Sequence, residues 1–140
     1  MSVSGPTRFR FYFSLAVVGF VGLAVLVVQP IRVAAEDLAP AISPSELSDR
    51  LKQPGAPRVI DVRTKAEFET GHVPGAVNIP HNELASRLDE VDAESGVVLY
   101  CMIGPRARLG EATLRKAGID GLLHLDGGFA AWRDSGLPAE

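Results

Sequence analysis

Val97-Val98-Leu99-Tyr100-Cys101-Met102-Ile103-Gly104-Pro105-Arg106 decides how this chain is read. Its first half is a short apolar run rich in β-branched residues, which reads as a buried strand, the kind found at the centre of a parallel sheet. Its second half is a tight turn. Beyond it, Ala107, Gly110, Leu114 and Ala117 recur at helical spacing, a face of small residues that predicts a helix over 107–117 lying close on a sheet, with Gly118 as its cap. Strand, short turn and helix together bring a side chain to the positive end of a helix dipole, with loop amides pointing at it. The side chain there is Cys101, the only cysteine in 140 residues. Helix N-termini favour the thiolate, the nucleophilic form of cysteine, so this is a candidate sulfur-chemistry site. The plainer alternative is a buried, inert thiol. No internal disulfide is open to it.

Working outward, Ala41-Ile42 reads as a short edge strand. Ser43-Pro44-Ser45-Glu46 reads as a helix start, with Ser43 as N-cap, proline at the first position and Glu46 closing a capping box. That helix is predicted to run to Gln53 and stop at Pro54-Gly55. Strands are predicted over Val59–Val62, Ala76–Ile79 and Leu122–Leu125, and helices over Lys65–Thr70, Glu83–Leu88 and Ala130–Asp134, with Gly127-Gly128 as a turn. Strands alternating with helices imply an α/β fold, a mainly parallel sheet of about five short strands covered by helices on both faces.

The N-terminus reads differently. Arg8 and Arg10 precede Phe11–Val28, where Ser14 is the only side chain that is neither apolar nor glycine. At about 1.5 Å per residue this run covers roughly 27 Å, close to the hydrocarbon thickness of a bilayer. Residues 1–35 are expected to be a signal peptide, with small residues Val33-Ala34-Ala35 before a cleavage point, or a retained membrane anchor. Residues 36–41 are then a linker and 42–140 the domain. Either reading carries the domain across the membrane, to the periplasm or cell envelope. Without Arg8, Arg10 and Arg32 the domain keeps eleven basic residues against seventeen acidic ones, a net charge of −6 that argues against nucleic acid as a partner.

Three ordered blocks resemble the rhodanese family. They are Val59-Ile60-Asp61-Val62-Arg63 with Glu67-Phe68 and Gly71-His72-Val73-Pro74-Gly75-Ala76-Val77-Asn78-Ile79-Pro80; the Cys101–Arg106 loop with its helix; and Leu125-Asp126-Gly127-Gly128 with Trp132 and Gly136-Leu137-Pro138. The small single-domain, exported or membrane-anchored type is the nearest in form. The resemblance implies a sulfurtransferase moving sulfane sulfur from thiosulfate or a persulfide to a thiol or cyanide through a Cys101 persulfide, without a cofactor. It implies that the amides of Met102, Ile103, Gly104 and Arg106 stabilise the charged sulfur, and that the Arg106 guanidinium holds an anionic donor. Four residues separate Cys101 from Arg106; related phosphatases and arsenate reductases place five there, which makes those activities the lesser alternatives. Met102 and Ile103 are apolar where many thiosulfate-using members carry a basic residue, and Pro105 lacks an N–H, so a persulfide is the better expected donor. A non-catalytic binding module on the same fold is the rival reading.

Asp61 and Arg63 stand at a strand end as supporting residues and read as a structural ion pair, or as bonded with Glu67, in preference to direct chemistry. Gly127 and Gly128 let backbone approach the Cys101 loop. Arg106 is either a solvated first-turn arginine or an anion ligand, and Arg108 reads as surface charge. His72 reads as a turn histidine, Trp132 as core. His81 and His124 have no metal-ligand spacing with Cys101, so no metal site is expected.

Overall fold

The structure, a computed structural model, describes residues 38–140. The apolar run 11–28, the cleavage region and the first two linker residues, 36 and 37, lie outside the described residues. No described helix is long and apolar enough to cross a membrane.

Five strands form one sheet: β1 (Ala41–Ile42), β2 (Arg58–Asp61), β3 (Val77–Asn78), β4 (Val97–Tyr100) and β5 (Leu122–Leu125), in the order β1-β5-β4-β2-β3. Every pairing is parallel, with Ile60 opposite Leu99 and Leu99 opposite His124. The central strand is β4, and all four of its residues are buried, as a strand covered on both faces requires.

The period-2 alternation of side chains divides the core into two layers. Ile60, Val62, Val97, Leu99 and Cys101 face one side, where α3 (Pro105–Lys116) contributes Ala107 and Leu114. Val59, Val98, Tyr100 and Leu125 face the other, against Leu47 of α1 (Pro44–Arg50) and Phe129 and Trp132 of α4 (Gly128–Asp134). Phe68 of α2 (Lys65–Glu69) joins this second layer.

Several boundaries differ from expectation. Helix α1 ends at Arg50, and residues 51–53 continue only as turns. Its Ser43 Oγ accepts from the Glu46 N–H at 3.2 Å, but the Glu46 carboxylate turns to Arg50 at 2.7 Å instead of closing the box. A complete capping box forms instead at Thr64 and Glu67, starting α2. Strand β2 begins and ends one residue earlier than expected, β3 is two residues long, and 84–90 forms two short 3₁₀ turns in place of an α-helix. Helix α3 starts at Pro105, since proline suits a first helical position whose N–H has no partner. Ala117 is exposed; the fourth buried member of the α3 face is Glu111.

Candidate functional site

Cys101 immediately follows β4, at the carboxyl ends of the parallel strands, where open α/β sheets gather their binding loops. Its residue surface is 1% exposed. Gly104 turns the chain back with φ +127°, a conformation that needs glycine, and its N–H donates to Cys101 Sγ at 3.1 Å. Of the four loop amides expected around the sulfur, Gly104 makes this contact. Helix α3 starts at the next residue, directing its N-terminal end toward the loop.

The loop is held from behind by α4. Phe129 N–H donates to the Cys101 carbonyl at 2.8 Å and Ala130 N–H to the Met102 carbonyl at 3.0 Å. That approach depends on Gly128: a Cβ there would lie 2.5 Å from Cys101 O and 2.7 Å from Met102 O. Gly127 caps α4 in the left-handed conformation, and the helix includes Gly128 itself, two residues before its expected start.

A pocket of about 370 Å³ opens over this loop, lined by Glu67, Cys101, Met102, Ile103, Pro105 and Arg106. Ile103 is 68% exposed beside it. Arg106 does not stand free. Its two terminal nitrogens donate to the two Glu67 oxygens at 2.7 Å each, a bidentate pair between side chains 29% and 31% exposed. Those bonds, aided by Thr64, hold the Glu67 carboxyl at about 2 against the burial that would raise it. The same bonds raise Arg106, with Cys101 adding a smaller contribution. Glu67 therefore partners Arg106 and not Asp61 or Arg63, a long-range pairing over 39 positions that local sequence reading missed.

Asp61 and Arg63 form a separate unit. Arg63 is fully buried, donating to Asp61 through Nε and Nη2 and to the Gly71 carbonyl at 2.7 Å. Its guanidinium carbon sits 4.2 Å from the centroid of the Phe129 ring. Neither residue lines the Cys101 pocket; they tie the end of β2 to the Gly71 turn and to α4. His72 stacks on Phe68 with centroids 3.7 Å apart, as a turn residue. Trp132 is core, its Nε1–H donating to Pro138 O at 2.8 Å. Arg108 is not free surface charge: Nη1 donates to Ala39 O at 3.0 Å and to Glu111 at 2.9 Å. Among the described residues no cluster of His, Cys, Asp and Glu is placed to hold a metal ion.

A family model described as the rhodanese-like domain matches residues 43–135. The chain is 35% identical over 97 residues to a sulfurtransferase of Allochromatium vinosum, covering 69% of this chain and 91% of that one. It is 37% identical over 116 residues to an HTH-type transcriptional regulator of Mycobacterium tuberculosis, covering 79% of this chain but 50% of the regulator. The chain thus spans about half the length of some curated relatives it matches. The crystal structure of a thiosulfate sulfurtransferase from Pseudomonas aeruginosa superposes with a TM-score of 0.67 at 33% identity, over 74% of this chain and 19% of that one.

Proposed function

The chain belongs to the rhodanese-like family, and on that premise we propose that it is a sulfurtransferase working through Cys101. The observation that carries this reading is the Gly104 N–H held 3.1 Å from Sγ, at the N-terminal end of α3 and in a loop of four intervening residues. A donor aimed at a thiolate is what such a cradle serves.

The reaction runs in two balanced steps. The Cys101 thiolate attacks the terminal sulfur of a donor; a new S–S bond forms, the donor's own S–S bond breaks, and the donor leaves with the bonding electron pair as a thiolate. An acceptor thiolate then attacks the terminal sulfur of the Cys101 persulfide and releases Cys101 as thiolate. Splitting the transfer predicts ping-pong kinetics. The Gly104 amide stabilises negative charge on sulfur at both stages.

The pocket favours a persulfide over thiosulfate. Its one cation, Arg106, is neutralised by Glu67, and its other walls are the apolar Met102, Ile103 and Pro105. A dianion gains little there. A persulfide brings a single negative charge on its sulfur where thiosulfate brings two, and so loses less by desolvation.

Intact mass after incubation with a low-molecular-weight persulfide tests the reading. The wild type is expected to gain about 32 Da, one sulfur atom, reversed by a thiol acceptor, and Cys101→Ser to gain nothing. A binding module without chemistry predicts no gain in either, which would overturn the assignment.

We also place the domain outside the cytoplasm, in the periplasm or cell envelope. Arg8, Arg10 and the apolar run 11–28 support this. Digestion of the domain by protease added to intact spheroplasts is the expected result; protection until lysis would refute it.

A further inference from the structure

Helix α3 turns Ala107, Gly110 and Leu114 onto the sheet, and Glu111 stands among them, 1% exposed. Its carboxylate accepts from His124 Nδ1 at 2.5 Å and from Arg108 Nη1 at 2.9 Å. Burial pushes this carboxyl up, but His124 and Arg108 outweigh it and hold the group below its usual range. An ionised carboxylate only accepts hydrogen bonds, so His124 Nδ1 carries a proton and Nε2 is the nitrogen turned away from Glu111.

His124 is the neighbour on the Cβ side of Gly104. A Cβ placed on Gly104 would sit 3.4 Å from His124 Nε2 and 3.6 Å from Cε1, so the imidazole walls that side of the residue with little more than a methyl's width between them. Gly104 is the residue whose amide holds the Cys101 sulfur. Stability alone is a poor reason for this arrangement, since a buried charged group replaced together with its partners by packed apolar side chains is often neutral or stabilising.

We infer that Glu111 and His124 are positioning residues for the Cys101 loop: Glu111 fixes the imidazole, and the imidazole keeps the Gly104 amide aimed at the sulfur. Neither touches the transferred atom. The charged group bonded to His124 is Glu111 of α3, whose other oxygen is held by Arg108 of the same helix; in the sheet the neighbours of His124 are Ala41 and Leu99, which do not titrate. The kinetic half of this inference rests on the sulfur-transfer reading, whereas the reactivity of the thiol does not.

Three variants of the full chain separate the roles. His124→Asn keeps an N–H for Glu111 but removes the ring from beneath Gly104. Glu111→Gln keeps an oxygen that accepts from Nδ1–H. Glu111→Leu keeps neither charge nor acceptor. Alkylation of Cys101 by iodoacetamide at pH 7 and steady-state persulfide transfer to dithiothreitol are measured on each. For His124→Asn and Glu111→Leu the alkylation rate and kcat are expected to fall about tenfold, with donor KM within about twofold, and Glu111→Gln to recover most of both. Wild-type alkylation and kcat in His124→Asn would overturn the inference, whatever its melting temperature. So would a Glu111→Gln protein as slow as Glu111→Leu. If Glu111→Leu does not fold, the His124→Asn comparison with wild type decides alone. A wild type that alkylates normally yet moves no sulfur would refute the proposed function and leave the alkylation differences to judge the positioning role.

Discussion

Gly128→Ala puts the support of the Cys101 loop to a quantitative test. The added methyl would lie 2.5 Å from Cys101 O, 2.7 Å from Met102 O and 2.8 Å from Met102 C, all backbone atoms that cannot rotate away. The residue also has φ +61°, which costs an alanine roughly 1–2 kcal/mol. Relieving the clash means pulling α4 from the loop, which breaks the Phe129 and Ala130 bonds to the Cys101 and Met102 carbonyls. At about 1 kcal/mol each, with more for any acceptor left buried and unpaired, these bring the total to roughly 3–5 kcal/mol. Gly75→Ala is the control, because Gly75 has φ +72° but nothing within 4 Å of the new Cβ; it isolates strain at roughly 1–2 kcal/mol. Urea unfolding at constant m-value gives both numbers. A Gly128→Ala loss no larger than that of Gly75→Ala would refute the argument that α4 is seated on the loop backbone.

Three further outcomes are expected. Glu67→Gln removes a carboxyl held at about 2 against an ordinary 4.5, a difference of about 3.4 kcal/mol before solvent screening and about 1–2 kcal/mol after it for side chains nearly a third exposed. Because the native value is depressed, that stability is present above pH 4.5 and lost as pH falls through 2, so the urea midpoints of wild type and Glu67→Gln should converge over that window; a constant gap would count against the pair. Asp61→Asn leaves Arg63 buried with a weakened partner and should cost about 3 kcal/mol by the same assay, a loss under 1 kcal/mol contradicting the burial. Gly110→Ala brings a methyl within 3.0 Å of Leu99 Cδ2 and 3.3 Å of Leu84 Cδ2; overpacking, partly offset by helix propensity, should destabilise by about 1 kcal/mol, and a more stable variant would show that the leucines yield freely.

How far the residues announced this molecule depends on the range of the interactions concerned. Strands β4 and β5 were legible to the residue because apolar runs bounded by turn residues leave few alternatives. Gly127-Gly128 was readable as a point of close approach because side-chain-free positions have few other uses. The capping box went to Thr64–Glu67 because at the other candidate Arg50, one helical turn beyond Glu46, competes for its carboxylate. What stayed hidden is distant along the chain. Arg106–Glu67 spans 39 positions and Glu111–His124 spans 13, and both form only once the helices are docked on the sheet. A charged residue on an otherwise small apolar helix face was the available signal for Glu111, and the Gly110–Ala117 spacing obscured it.

Cys101 is gripped from two sides: its side chain enters the layer beneath α3, while its carbonyl is bound by α4 from the opposite layer. Loosening of either half of the domain therefore reaches the same sulfur atom. Thiol reactivity in dilute denaturant would act as a built-in gauge, registering a slackened layer before the sheet itself comes apart.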